Sequence, residues 1–469
     1  MNVLLIQPPE PDSEVHPKPL FRGYRSAFGP AWSTLCLSAY ITGHSRHTCR
    51  GLDLRLHDDL ETCLPREIDQ TDIPAILVIH CRTDQAGEVQ AIVSCARKHR
   101  SNIPIALCGP FPTRYPQHAM DIDGVDYALS GDPEAILRNL LDFIDIPQRL
   151  QNTPGLQQRN KPLKPPHWLK NIETLSLPDW KGFFWGAYRN QADTIIPEAR
   201  LSRGSPSGDR SNPVPDEPLR VWNMRKLAHC IHQCSHVGIS QVMLSDPPSF
   251  WTAERLRQWC TILRSMHNAQ AWGIRLHPMS LDEQAIDDLI RAGGRRIDFI
   301  LPTLHRERRE TYGIQTGIRE TAATVKRLEA AGIETHLHIL IGGPEEGRDE
   351  IENLSRAVHQ LAFARIILSP YPFVIGSSLH TQVTSSNEHN CTIEHFMKWV
   401  HSPWTHTRPT LTWAGQTGTD YTIKTIQYFQ RSMQRNPKRI LRRLCEKVKT
   451  ARPITYLEDK ALALLIRNT

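Results

Sequence analysis

His336 and His338 alternate along the apolar run "ETHLHILIG" (334–342). At a period of two they share one face of a strand, with Leu337 and Ile339 on the other. Two imidazoles on one face can act as an acid–base pair or as ligands for a divalent ion. His277, at the end of the run "AWGIRLH" (271–277), is placed to join them. The competing reading is that core hydrogen bonds satisfy both histidines. Asp246 ends the run "QVMLSD" (241–246), and α/β proteins keep their ligands at strand C-termini. Cys230 and Cys234 are one helical turn apart, with His229 and His236 beside them and Cys260 on the next predicted helix. That spacing suits a zinc-type site and equally suits two small thiols packing a helix; packing is the reading adopted. One further stretch, "RGSPSGDRSNP" (203–213), is rich in Ser, Gly, Pro and Asn and holds no cysteine.

Strands and helices must position these groups. "NVLLIQ" (2–7), "AILVIH" (75–80) and "IPIALC" (103–108) are near-continuous apolar runs, as expected of strands buried on both faces. Helix-like segments at 30–44 and 86–100 separate them, and "DYALSGD" (126–132) leads into "PEAILRNLLDFI" (133–144). This alternation predicts a doubly wound, Rossmann-like parallel sheet over residues 1–147. Residues 148–195 are rich in Pro and Gln and read as an extended linker. From 196 to 385 the alternation resumes, with strands expected at 198–202, 241–246, 271–277, 296–301, 334–342 and 365–370. Six strand–helix units are too few to close an eight-fold barrel, so a partial, TIM-like (βα)6 barrel is expected. Residues 386–469 form a basic, mostly helical C-terminal region.

The first segment resembles the cobalamin-binding domain that precedes many radical S-adenosylmethionine (SAM) enzymes. The matching residues are "VLLIQPP" (3–9), "GPAWSTLCLSAYITGH" (29–44), "CGPFPT" (108–113) and "SGDPEA" (130–135). The resemblance implies a cobalamin site whose loops include Gly109, Pro110, Thr113, Gly131 and Glu134. Phe111 stands where the family has a histidine and Pro133 where it has a glycine. No Asp-x-His-x-x-Gly is present, so no histidine is nominated beneath the cobalt.

The second half resembles the radical SAM barrel. "IETLSLPDW" (172–180), "MLSDPPSF" (243–250), "GIRLHPMSLDEQAIDDLIRAGG" (273–294) and "AAGIETHLHILIGGPEEGRDEI" (330–351) carry the likeness in order. Asp246 and Arg275 are kept, as are Gly342, Pro344 and Glu346 of the turn that lies against SAM. The family writes Ser-Arg-Gly-Cys-Pro-x-x-Cys-x-x-Cys after its first barrel strand. Aligning Ser202-Arg203-Gly204 and Pro206 puts Ser205, Asp209 and Asn212 at the three cysteine positions. Oxygen and amide side chains are poor ligands for a soft iron–sulfur core, so the 4Fe-4S cluster is expected to be absent. Pro302 and Thr303 replace a family glutamate that contacts the SAM ribose, which leaves SAM binding open.

Composition agrees with a soluble protein of more than one domain: 469 residues, 39% hydrophobic and 22% charged. No window approaches a membrane span and no secretory leader is recognised. Eleven scattered cysteines read as reduced thiols of a cytoplasmic protein. The net charge of +7 is concentrated near the C-terminus. With no aromatic stacking platform there, a solvated helix is favoured over a nucleic-acid surface. Three functions remain in order. The first is a non-radical binding, regulatory or partner protein, working with an intact radical SAM relative or another protein. The second is a cobalamin-dependent enzyme doing polar chemistry such as methyl transfer. The third is a radical SAM enzyme with an unconventional cluster site.

Overall fold

In the computed structural model of the protein, the described residues are 1–9, 29–57, 59–70, 76–178, 180, 185–189, 195–206, 217–266, 270–279, 281–302, 309–310, 314, 316–343, 346–347, 349, 365–370, 424–425 and 428. They fall into two compact units. One comprises Met1–Arg275 with Arg291–Gly294, the other Leu276–Ile290 with the described part of Arg295–Phe373.

The first unit opens with β1 (Asn2–Gln7), α1 (Trp32–His44), β2 (Thr48–Asp53), α2 (Leu60–Asp69), β3 (Ile76–His80), α3 (Ala86–His99) and β4 (Ile105–Cys108). Then come α4 (Pro110–Arg114), α5 (Pro116–Asp121), β5 (Tyr127–Leu129), α6 (Pro133–Phe143), α7 (Pro147–Gln151) and β6 (Leu156–Gln158). The strands form one sheet in the order β2-β1-β3-β4-β5-β6. All neighbours are parallel except β5 and β6. Residues of β3 and β4 are buried throughout, which is why their sequences do not alternate: helices cover both faces. The segment expected as an extended linker supplies α7 and the antiparallel edge strand β6. Edge position explains its polar sequence, because one side of an edge strand needs no apolar cover.

The same unit continues through α8 (Trp185–Arg189), β7 (Glu198–Ala199), β8 (Ser202–Arg203), β9 (Arg220–Val221), α9 (Met224–Gln233), β10 (Gln241–Leu244), α10 (Ala253–Ser265) and β11 (Ala271–Leu276). β7, β10 and β11 are parallel, and β8 pairs with β9 antiparallel. The second unit has α11 (Glu283–Arg291), β12 (Gly294–Leu301), α12 (Ile318–Ala330), β13 (Glu334–Ile341) and β14 (Arg365–Pro370). Its three strands run parallel with β13 in the middle. Each unit thus supplies three of the six strands expected after residue 196. Of the C-terminal region only Lys424, Thr425 and Tyr428 are described, all helical. No described helix is long and apolar enough to cross a membrane.

Candidate ligand-binding site

In a sheet of order 2-1-3-4-5 the chain reverses its direction of winding between β1 and β3. The loops leaving those strands diverge and open a crevice at their C-termini. Gln7 ends β1 and His80 ends β3; the pairing Ile6 to Ile79 makes them the next residues in register. Both are buried, at 3% and 8% exposure. The Oε1 of Gln7 and the Nδ1 of His80 have no hydrogen-bond partner among the described residues. Orphaned buried polar atoms are rare, and two on adjacent strand ends mark a place built for a further group. At the neighbouring end of β2 the carboxylate of Asp53 is fully engaged, by Arg55 and by the Tyr188 hydroxyl at 2.6 Å.

His80 is held by its other nitrogen, 2.9 Å from the Ser33 hydroxyl. Burial, reinforced by the charges of Arg82 and Arg200, lowers its pKa to about 4. The imidazole is therefore neutral at physiological pH and has a lone pair to offer. Sequence reasoning passed over both residues. The signal was present: each is the single polar residue closing an otherwise apolar strand run.

Of the loop residues nominated for cobalamin, Gly109 lies beside His80, and the others serve the chain itself. Gly109 adopts φ +103, and a Cβ there would crowd the Cys81 carbonyl at 2.9 Å and the His80 ring at 3.1 Å. Pro110 opens α4. The hydroxyl of Thr113 donates to the Gly109 carbonyl at 2.8 Å and accepts from the Gly131 N–H at 3.1 Å, tying the β4 and β5 loops together. Gly131 bridges to His167, whose backbone occupies the space a side chain would need. Glu134 is buried and paired with Arg203.

That pair leads to the segment that the resemblance aligns with the family's cluster loop. Arg203 binds Glu134 through both guanidinium amines and donates to Asp132 Oδ1 at 2.9 Å. Its guanidinium lies 5.4 Å from the Trp222 ring centroid. Arg220, on the paired strand, binds Asp132 Oδ2, the Leu169 carbonyl at 3.0 Å and Glu217 at 2.9 Å. Between them Gly204 takes φ +76, where a Cβ would collide with the Pro218 carbonyl. Ser205 is half-buried, whereas Asp209 and Asn212 lie outside the described residues.

Asp246 supports the same frame. Its Oδ1 accepts from the N–H groups of Leu201 and Ser202 and from the Ser202 hydroxyl at 2.7–2.9 Å. Burial raises its pKa, and Oδ2 has no hydrogen-bond partner among the described residues. In the second unit, the Glu346 carboxylate accepts the Gly342 N–H at 2.9 Å, closing its own turn; Pro344 lies outside the described residues. His336 and His338 do share a face, and they meet Asp298 of β12. His277 instead contacts the Ile300 carbonyl at 3.0 Å. The thiols of Cys230 and Cys234 are buried and sit near the Pro178 and Cys230 carbonyls, as packing cysteines do.

No protein-family model matches the chain, and no curated protein matches it. Solved structures do. The radical SAM methyltransferase TsrM from Kitasatospora setae, with cobalamin and a [4Fe-4S] cluster bound, superposes with a TM-score of 0.64 at 16% identity. The match covers 82% of this chain and 75% of that one. The same enzyme with tryptophan substrate and a SAM analogue gives a TM-score of 0.63 at 16% identity, over 82% and 76%. The cobalamin-dependent SAM radical enzyme OxsB, with aqua-cobalamin and SAM bound, gives 0.58 at 14% identity, over 97% of this chain and 62% of that one. At these identities the likeness establishes a shared fold: mixed α/β, with a cobalamin-domain-like sheet followed by the strands of a radical-SAM-type barrel.

Proposed function

We propose that the chain is a corrinoid-binding protein of radical SAM fold that has given up radical chemistry and works as a binding, regulatory or partner protein. The observation that supports this reading is a fixed frame followed by a stretch, 203–213, that holds no cysteine. Ser202, Arg203 and Gly204 are fixed by buried hydrogen bonds, ion pairs and a left-handed turn, and the alignment that the resemblance implies sets Ser205, Asp209 and Asn212 against the family's cysteines. A four-iron cluster is held by thiolates. Burial pushes the thiols of Cys36, Cys108 and Cys234 up, and that of Cys49 up to about 12. Enclosed, protonated thiols are poor replacements.

The crevice fits a corrinoid. Gln7 and His80 would hold it from the strand ends, with the Gly109 and Thr113 loops beside them. When bound, such a group supplies methyl-carrying, two-electron chemistry. The chain's own contribution is a neutral, oriented imidazole at His80 and a wall of apolar strands that limits water. A second reading, polar methyl transfer by this protein itself, is favoured by that neutral imidazole. Titration with aquocobalamin, followed by absorbance, tests the shared premise. Saturation at one equivalent is expected, with affinity about fivefold or more weaker in Gln7→Ala and His80→Ala, since a lost hydrogen bond to a buried partner costs about 1–3 kcal/mol. Absence of saturable binding in the folded wild-type chain would sink it.

A further inference from the structure

The second unit contains a cluster that neither the corrinoid crevice nor the cluster frame uses. Asp298 on β12 is in register with His336 on β13, and Ile300 with His338. Parallel register with a period of two puts Asp298, His336 and His338 on one face. Asp298 is 0% exposed, His336 2% and His338 16%. His336 Nδ1 lies 3.5 Å from Asp298 Oδ1, and His338 Nε2 lies 3.4 Å from Asp298 Oδ2. All three donor atoms fall within 4.8 Å of one another. Among the described residues this is the one His/Cys/Asp/Glu group with such convergence.

The hydrogen bonding around the cluster leaves the facing nitrogens unmatched. His336 Nε2 sits 2.7 Å from Glu334 Oε1, so that nitrogen carries the proton and donates it. The opposite nitrogen, Nδ1, then presents a lone pair to a carboxylate oxygen. Neither it nor His338 Nε2 makes a hydrogen bond among the described residues. A lone pair and a carboxylate oxygen that face each other in a buried site call for a cation between them.

The geometry points to a divalent transition ion of the zinc class, held by His336 Nδ1, His338 Nε2 and Asp298, with a further coordination position open. Ligand bonds of about 2.0–2.1 Å in a tetrahedron place neighbouring donors about 3.3 Å apart, close to the observed 3.4 and 3.5 Å. The surroundings match what ligands of such ions require. A carboxylate on the distal nitrogen fixes the tautomer of a ligating histidine, as Glu334 does for His336. The ligating carboxylate is itself hydrogen-bonded, here by Arg296 at 2.7 and 3.0 Å. Each Asp298 oxygen keeps a second lone pair for the ion. With neutral imidazoles, Arg296, Asp298 and Glu334 leave one negative charge over, so a divalent ion is electrostatically welcome. The site is separate from the Gly342 turn. Gly342 is four residues beyond His338, on the order of 13 Å along an extended strand. It is also independent of the corrinoid reading, since no residue is shared.

The test uses the full chain, stripped with EDTA and titrated with Co(II) while the visible d–d bands are followed. One saturating equivalent is expected, with the bands abolished by Zn(II), and with saturation lost in His338→Gln and in Asp298→Asn. Zinc should also raise the Tm of the wild-type chain and leave that of the variants unmoved. The wild-type zinc-dependent Tm shift decides the matter should a variant fail to fold. Cobalt uptake that never saturates, or equal uptake by wild type and variants, would mean scattered surface histidines and would overturn the site.

Discussion

At the scale of single residues, His80 joins a visible structural demand to a titration. An unfolded imidazole titrates near 6.5, while burial lowers the folded value to about 4. Between those values the unfolded chain binds a proton that the folded chain refuses, so stability falls as pH falls. His80's contribution is complete above the unfolded pKa and is lost progressively as pH drops toward 4. Moving from pH 7 to pH 5 should remove about 2 kcal/mol through this residue alone. Urea unfolding at both pH values should show that loss in the wild-type chain and a smaller one, by a similar amount, in His80→Gln. His336 shifts in the same direction and remains as background in both chains. An identical pH dependence in the two proteins would show that His80 is not the buried neutral group described.

At the scale of elements, the short pair β8 and β9 is the informative feature. Two-residue strands have little ladder to hold them; buried charges do the work instead. Arg203 and Arg220 converge on Asp132, with Glu134 completing the group at the start of α6. Replacing Glu134 with Gln leaves the nearly buried Arg203 with half its compensation. Removing one partner of a buried pair costs about 3–5 kcal/mol, and Asp132 should hold the loss near the lower figure. Urea denaturation of Glu134→Gln measures it, and a loss below about 1 kcal/mol would mean the frame is held in some other way. None of this network was legible beforehand. Glu134 read as a cofactor-loop residue because spacing reveals a loop, not the charge that folds back onto it. Asp246 read as a strand-end polar residue, and the gathering of the Leu201 and Ser202 N–H groups on its Oδ1 was not visible in the sequence. Strands were easier. β1, β3, β4, β10, β11, β12, β13 and β14 all fall within or overlap apolar runs visible in the sequence. The edge strands β2 and β6 did not stand out, since a half-covered strand such as "TCRGLD" need not be apolar.

At the scale of the whole molecule, the fold is shared where little sequence identity is. The likeness to TsrM and OxsB persists at 14–16% identity because burial and period constrain residue class more than residue identity. Ion pairs, the Gly204 turn and the Trp32–Trp222 edge contact anchor the described segment 202–206. The most direct test is the cobalt, acid-labile sulfide and corrinoid absorbance of chain purified anaerobically with cobalamin, iron and sulfide supplied. Sulfide is the discriminating quantity, because an isolated ion at Asp298, His336 and His338 would bring none. About one corrinoid per chain with sulfide near zero is the predicted result. About four sulfides with four irons per chain would mean that a cluster is bound, and would contradict the account.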